Sequence, residues 1–180
     1  MEAARGEHTT FQIVVPGLPV DLRDLRCEVT TFTASTTESV VLPAGRVRYV
    51  DYVGASHTTK TPGKDQLRAA PAMFPDPLLE DESVDVEAGN NQACWITVPV
   101  PVDTQPGDYV ATAVVTTKIF GMETSASLPL SLKVYPATVA DTRLQIVNWF
   151  QMWHRGDQSG PEMFSEPWWA MLKLYVDDMV

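Results

Sequence analysis

Residues 90–109 read NNQACWITVPVPVDTQPGDY, and this stretch decides the fold because it spells out a strand, a tight turn and the opening of a second strand. Cys94, Ile96, Val98 and Val100 alternate with Trp95, Thr97, Pro99 and Pro101, the period of two expected of a strand with one face in a core. The two prolines share a face. Neither can donate a ladder hydrogen bond, so the end of this strand is expected at a sheet edge or peeling away from one. Pro106-Gly107 supplies the turn, proline presetting φ and glycine permitting a positive φ. Tyr109 then opens the run YVATAVVTTKI. A tyrosine in that position is expected to anchor a sandwich corner through its hydroxyl, with ligand contact as the competing role.

Working outward, residues 9–15 set Phe11, Ile13 and Val15 on one face and close at Pro16-Gly17, a short strand. Residues 25–32 form a second, with Leu25, Cys27 and Val29 inward. A Thr- and Ser-rich loop leads to residues 46–53, whose mixture of Val, Tyr and Arg suits a strand covered in part on both faces. From 54 to 82 the periodicity disappears and Pro62-Gly63, Pro71, Pro75 and Pro77 accumulate. That predicts a long loop, with FPDPLL at 74–79 as a fixed point inside it. Residues 109–119 and 123–135 make a hairpin about Gly121, the second arm alternating Leu128, Leu130, Leu132 and Val134 with polar residues and Pro129. Six or seven strands, with no helix before residue 136, specify a mainly β chain: an antiparallel, immunoglobulin-like β-sandwich over residues 1–136.

The pattern then changes. In residues 137–180 a linker precedes LQIVNWF at 144–150, a nearly continuous apolar run of the kind found in strands covered on both faces. A polar loop with Gly156 and Gly160 follows. Ser165 can cap a helix with Pro167 in its first turn, and Trp168, Leu172, Tyr175 and Met179 fall on one helical face. Strand, loop and helix are the first unit of a β/α repeat, so the expected architecture is a sandwich followed by a partial (β/α) barrel unit.

Composition narrows the function. Thirteen Lys and Arg against 23 Asp and Glu give a net charge of −10 across 180 residues, which disfavours nucleic acid, anionic membrane and other polyanionic partners. No run approaches the ~20 apolar residues of a membrane-spanning helix, and the first residues lack the apolar core of a signal peptide. Localisation stays open between an exported and a bacterial cytoplasmic parent. Cys27 and Cys94 both sit on inward strand faces, where they are either a disulfide pair or two small buried hydrophobes. The acidic run Glu80, Asp81, Glu82, Asp85 and Glu87 lacks the spacing of a calcium loop and reads as solvated surface. No metal or cofactor is implied.

With those residues set out, the chain resembles the N-terminal region of glycoside hydrolase family 123 and related hydrolases, which place a β-sandwich before a (β/α)8 barrel. The resemblance is carried by ARGEHTTFQIVV at 4–15, FPDPLL at 74–79, AGNNQACWITVPVPVDTQPGDY at 88–109, LPLSLKV at 128–134 and the segment from Trp149-Phe150 to Met179. It implies a parent that hydrolyses a terminal β-linked N-acetylhexosamine, N-acetylgalactosamine in the family, by substrate-assisted catalysis. There an acidic residue orients the substrate acetamido oxygen and a neighbouring glutamic acid protonates the leaving oxygen. That acidic pair belongs to a later barrel strand, so no catalytic residue is carried onto this chain. Asp81-Glu82 and Asp177-Asp178 are adjacent acids in the wrong places. In the family a further strand precedes ARGE, so the resemblance implies a start inside the domain.

Barrel sites gather at the carboxyl ends of the strands. The substrate-binding candidates are therefore Asn148 and Trp149, with Trp153 and His154 just beyond. Trp149 suits either a sugar platform or packing between barrel and sandwich; Trp153 reads more readily as packing, and His154 has no metal-ligand spacing around it. The expectation is an N-terminal accessory domain, not catalytic alone, which meets carbohydrate through the complete enzyme and takes the barrel as its intramolecular partner. The apolar helix face otherwise folds back, self-associates or stays exposed. A free-standing carbohydrate-binding module is the alternative, weakened by Trp95 being the sandwich's single tryptophan. A structural immunoglobulin-like domain leaves the final helix unexplained.

Overall fold

The structure, a computed structural model, describes residues 1–57, 64, 68–139 and 161–179. The chain divides into two compact units, Met1–Ala140 and Asp141–Val180. Among the described residues the first holds strands β1 (Glu2–Arg5), β2 (His8–Val15), β3 (Leu22–Val29), β4 (Thr33–Ala34), β5 (Thr37–Val41), β6 (Arg46–Ala55), β7 (Ala72–Leu79), β8 (Val84–Val86), β9 (Gln92–Pro99), β10 (Gly107–Ile119) and β11 (Met122–Thr138). One sheet runs β1-β11-β10-β3-β8, with β4 joined to β10 and β5 to β4; the other runs β2-β9-β6-β7. Apart from β1, which lies parallel to β11, the described pairs are antiparallel. This is the expected mainly β sandwich.

Alternation drives its core. Leu25 and Cys27 of β3, Tyr109, Ala111 and Ala113 of β10, and Leu130, Leu132 and Val134 of β11 are buried on one sheet. Cys94, Ile96 and Val98 of β9 with Tyr49 of β6 are buried on the other, and Phe11, Ile13 and Val15 of β2 pack against the cluster. Apolar area removed from water at ~25 cal/mol per Å² is the main stabilising term here. Tyr49 and Val50 are consecutive and both buried, so β6 is covered on both faces, as its mixed composition predicts.

The 54–82 region differs from its reading as one long loop. Gly54 and Ala55 still belong to β6, and FPDPLL lies within β7, paired antiparallel to β6 from Tyr49↔Leu79 to Ala55↔Ala72. Pro75 and Pro77 fit because β7 is the outermost strand of its sheet, where a missing donor goes unnoticed. The opposite holds for β9. It lies between β2 and β6 rather than at an edge. Its pairing with β6 stops at Thr97 and its last partner on β2 is His8, opposite Pro99, so the strand ends where the prolines begin.

The hairpin of β10 and β11 turns at Phe120 (φ 52°) and Gly121 (φ 79°). Two positive φ values in a two-residue loop are the turn that matches strand twist. Phe120 occupies a backbone region that disfavours bulky residues, with its ring 82 % exposed.

In the second unit the described part is α1 (Glu166–Met179). Ser165 caps it: its Oγ accepts from the Trp168 amide at 3.4 Å, and its backbone carbonyl accepts from the Trp169 amide at 3.0 Å. Trp168 is buried, with the rings of Phe164 and Trp169 centred 5.2 and 4.7 Å from its own. Leu172 is half-buried and Tyr175 exposed, so the expected stripe is covered at its start and open further on. The strand expected at 144–150 lies outside the described residues.

Candidate functional site

The substrate-binding candidates Asn148, Trp149, Trp153 and His154 all lie outside the described residues. Within the sandwich, a cleft of about 610 Å³ opens beside the β6–β7 hairpin. Tyr52 of β6 and Met73 of β7 supply its apolar side, Arg68 approaches from the segment before β7, and the turn from Glu87 to Asn91 closes it.

That turn is held by its own chemistry. Gly89 takes φ +83°, its amide donates to the Leu18 carbonyl at 2.7 Å, and the Asn90 amide donates to the Glu87 carbonyl at 3.1 Å. Asn91 Oδ1 accepts from the Gly17 amide at 2.8 Å, and Asp21 Oδ1 accepts from the Ala88 amide at 3.0 Å. Gly17 is required for close approach: a Cβ there would lie 2.5 Å from the Gly89 carbonyl. The turns at 16–18 and 87–91 are thus stapled together by backbone contact.

Several of the cleft's polar groups are taken up by the protein itself. Gln92 Nε2 donates to the carbonyls of Val50 and Ala93 at 2.9 and 3.0 Å. Arg68 Nη1 donates to the Met73 carbonyl at 3.1 Å. Asp85 accepts from the Asp24 amide at 2.9 Å and from Arg23 at 3.0 Å. These two bonds hold its carboxyl below the usual carboxylate range. A general acid near neutral pH needs the opposite shift, so Asp85 can orient a hydroxyl but stays ionised. The rest of the acidic run is a charged rim: Glu80 pairs with Arg46. Among the described residues no three His, Cys, Asp or Glu side chains converge as a metal site.

A second hollow, about 490 Å³, lies between the Val40–Pro43 segment and the loop from Pro101 to Gln105, against Tyr109. Tyr109 is 1 % exposed and its hydroxyl donates to the Gln105 carbonyl at 2.7 Å. Burial pushes its ionisation up. It is the corner anchor that its position after Pro106-Gly107 predicts.

Sequence reasoning missed the first cleft. Gly89-Asn90 marks a turn, but no local pattern joins it to Tyr52 and Arg68, which arrive through the β6–β7 pairing.

A family model described as the glycoside hydrolase 123 N-terminal domain matches residues 1–117. No curated protein matches the chain. Among solved structures it is similar to a family 123 glycoside hydrolase from Clostridium perfringens, studied for the details of glycolipid glycan hydrolysis, at 18% identity and TM-score 0.63. The match covers 76% of this chain and 23% of that one, so the chain spans about a quarter of that structure's length. The ASH / PapD-like domain of human CEP192 (PapD-like domain 7) matches loosely, at 15% identity and TM-score 0.37 over 76% of this chain and 82% of that domain.

Proposed function

The chain belongs to the glycoside hydrolase 123 N-terminal domain family, and from that premise we propose that it serves as the non-catalytic sandwich of an enzyme that removes terminal β-linked N-acetylhexosamine. On this reading residues 1–136 form the accessory domain and 137–180 the linker and first β/α unit of the barrel. Carbohydrate is then met through the complete enzyme, at a barrel site that includes Asn148 and Trp149, with Trp153 and His154 bordering it.

The observation that carries the non-catalytic role is where the cleft's polar atoms go. Asp85, Asn91 and Gln92 are each bonded to the protein's own backbone or to arginine, and the one acid among these three is held ionised. The open end of α1 supports the intramolecular partner: Leu174 is 72 % and Tyr175 50 % exposed, an apolar display that further β/α units would cover. Self-association through the same helix is the competing outcome.

The alternative, a carbohydrate-binding sandwich, is favoured by one feature, the exposed Tyr52 and Asn90 beside the 610 Å³ cleft. Both readings meet the same experiment. The purified 180-residue chain is assayed on an aryl β-N-acetylgalactosaminide and titrated calorimetrically with N-acetylgalactosamine. We expect neither turnover nor heat. Turnover overturns the accessory role, and saturable binding that Tyr52→Ala abolishes selects the binding module.

A further inference from the structure

Two cysteines reach the middle of the sandwich from opposite sheets. Cys27 lies on β3 and Cys94 on β9, and they are free thiols, 5 % and 0 % exposed. Their closeness follows from two observations about Tyr49. On β6 it stands directly opposite Cys94 in register, while its hydroxyl crosses the core to accept the Cys27 amide at 3.0 Å. The two side chains thus face one another across the core. Interaction with Cys94 lowers the ionisation of the Cys27 thiol, and the same interaction, then burial, pushes the Cys94 thiol up.

Packing alone asks for less than this. A small buried hydrophobe needs only an inward position, and Ala111 and Ala113 fill such positions on β10. A disulfide needs side chains that approach from two backbones, and two buried cysteines that face each other from opposite sheets, both beside Tyr49, are placed for that approach.

We propose that Cys27 and Cys94 form an intersheet disulfide under oxidising conditions, a modification site that locks the two sheets of the sandwich together. With glutathione disulfide as oxidant, the Cys27 thiolate attacks one of its sulfurs, forms a mixed disulfide and releases one glutathione. The deprotonated Cys94 sulfur then attacks the Cys27 sulfur, makes the Cys27–Cys94 bond and releases the second. Two thiols lose two protons and two electrons, and one glutathione disulfide becomes two glutathione thiols. Cys27 is the first nucleophile because it is the less deeply buried of the two and is reached first as the sandwich opens. The closed loop runs from residue 27 to residue 94 and contains β4 to β8, the whole of the 610 Å³ cleft's β6–β7 side included. Because neither sulfur is open to solvent, exchange follows partial opening of the sandwich.

The test uses the full chain. It is incubated with glutathione disulfide in urea sufficient to let the sandwich open and reclose, returned to buffer, then denatured and alkylated with iodoacetamide. The expected product takes up no alkyl group, is lighter than the reduced chain by two hydrogens, and gives a single cross-linked peptide joining residues 27 and 94. For a loop of this length the oxidised form should melt about 10 °C above the reduced one. A chain that takes up two alkyl groups, or carries glutathione on either cysteine without the cross-link, overturns the proposal. So does a cross-linked form that melts no higher than the reduced chain. The single variants Cys27→Ser and Cys94→Ser supply the control: each should retain bound glutathione after the same treatment, since neither has a second sulfur to displace it.

Discussion

Replacing Tyr49 with Phe removes one oxygen and leaves the ring in place. Tyr49 is 2 % exposed, so the volume change inside the core is negligible. Its hydroxyl accepts the Cys27 amide at 3.0 Å and donates to the Glu82 carbonyl at 3.4 Å. β3 pairs with β8 at Leu22 and Leu25, so at Cys27 the tyrosine oxygen takes the place of a further strand partner. In the variant a buried amide loses its acceptor, which costs about 1–3 kcal/mol. For a domain of this size that corresponds to a fall in Tm of roughly 3–10 °C. The assay is a thermal melt followed by circular dichroism, with a urea titration to show that the denaturant slope is unchanged. Both are run with reductant so that cysteine chemistry does not contribute. Tyr52→Phe is the control: it lies on the same strand, 40 % exposed, and is expected to change stability by less than about 0.5 kcal/mol. If Tyr49→Phe melts within about 1 °C of the parent, or the two variants fall equally, the intersheet hydroxyl is not a structural strut and the reasoning fails.

Two further outcomes test the rest of the sandwich. Gly17→Ala forces a Cβ to within 2.5 Å of the Gly89 carbonyl; separating the stapled turns should cost about 1–3 kcal/mol, read as a lower urea midpoint. Asp24 is held at about 2, first by Lys118, then by Ser83 and Arg26. A depressed carboxylate stabilises the fold above its unfolded value and loses that contribution as pH falls through the folded one. Asp24→Asn should therefore melt below the parent at about pH 6, and the gap should close between about pH 4 and pH 2. A gap that persists at the acid end would show that the deficit is not the ion pair.

What the sequence made legible follows from how many side chains report on each backbone segment. β9 and β10 have long alternating runs, and Tyr109 follows a Pro-Gly turn, so strand, turn and corner hydroxyl were all readable. β4 and β8 have two and three residues, too few for a period to emerge. β7 is long enough, but Pro75 and Pro77 imitate a loop, and only its place at the sheet margin makes them admissible. The cleft was out of reach because its walls come from β6, β8 and the turn at 87–91, joined by pairing rather than by proximity in sequence. The barrel-side candidates at 148–154 rest on family resemblance and lie outside the described residues. Tyr49 is the sharper case: its meaning depends on an amide 22 residues away, and nothing near either residue announces the meeting.

The surface charges of this domain cannot be what holds it. Each described ion pair has both partners at least 31% exposed, where such contacts contribute about 0–1 kcal/mol. The net charge of −10 opposes compaction. Stability must then come from the alternating apolar faces and from the few polar groups that cross or close the core, Tyr49 between the sheets and Tyr109 at the corner. Such a division leaves the rim free to vary while the sheets stay registered. A sandwich whose interior rests on two such tyrosines and on alternating apolar faces holds one arrangement of its sheets whatever the charges at its rim do.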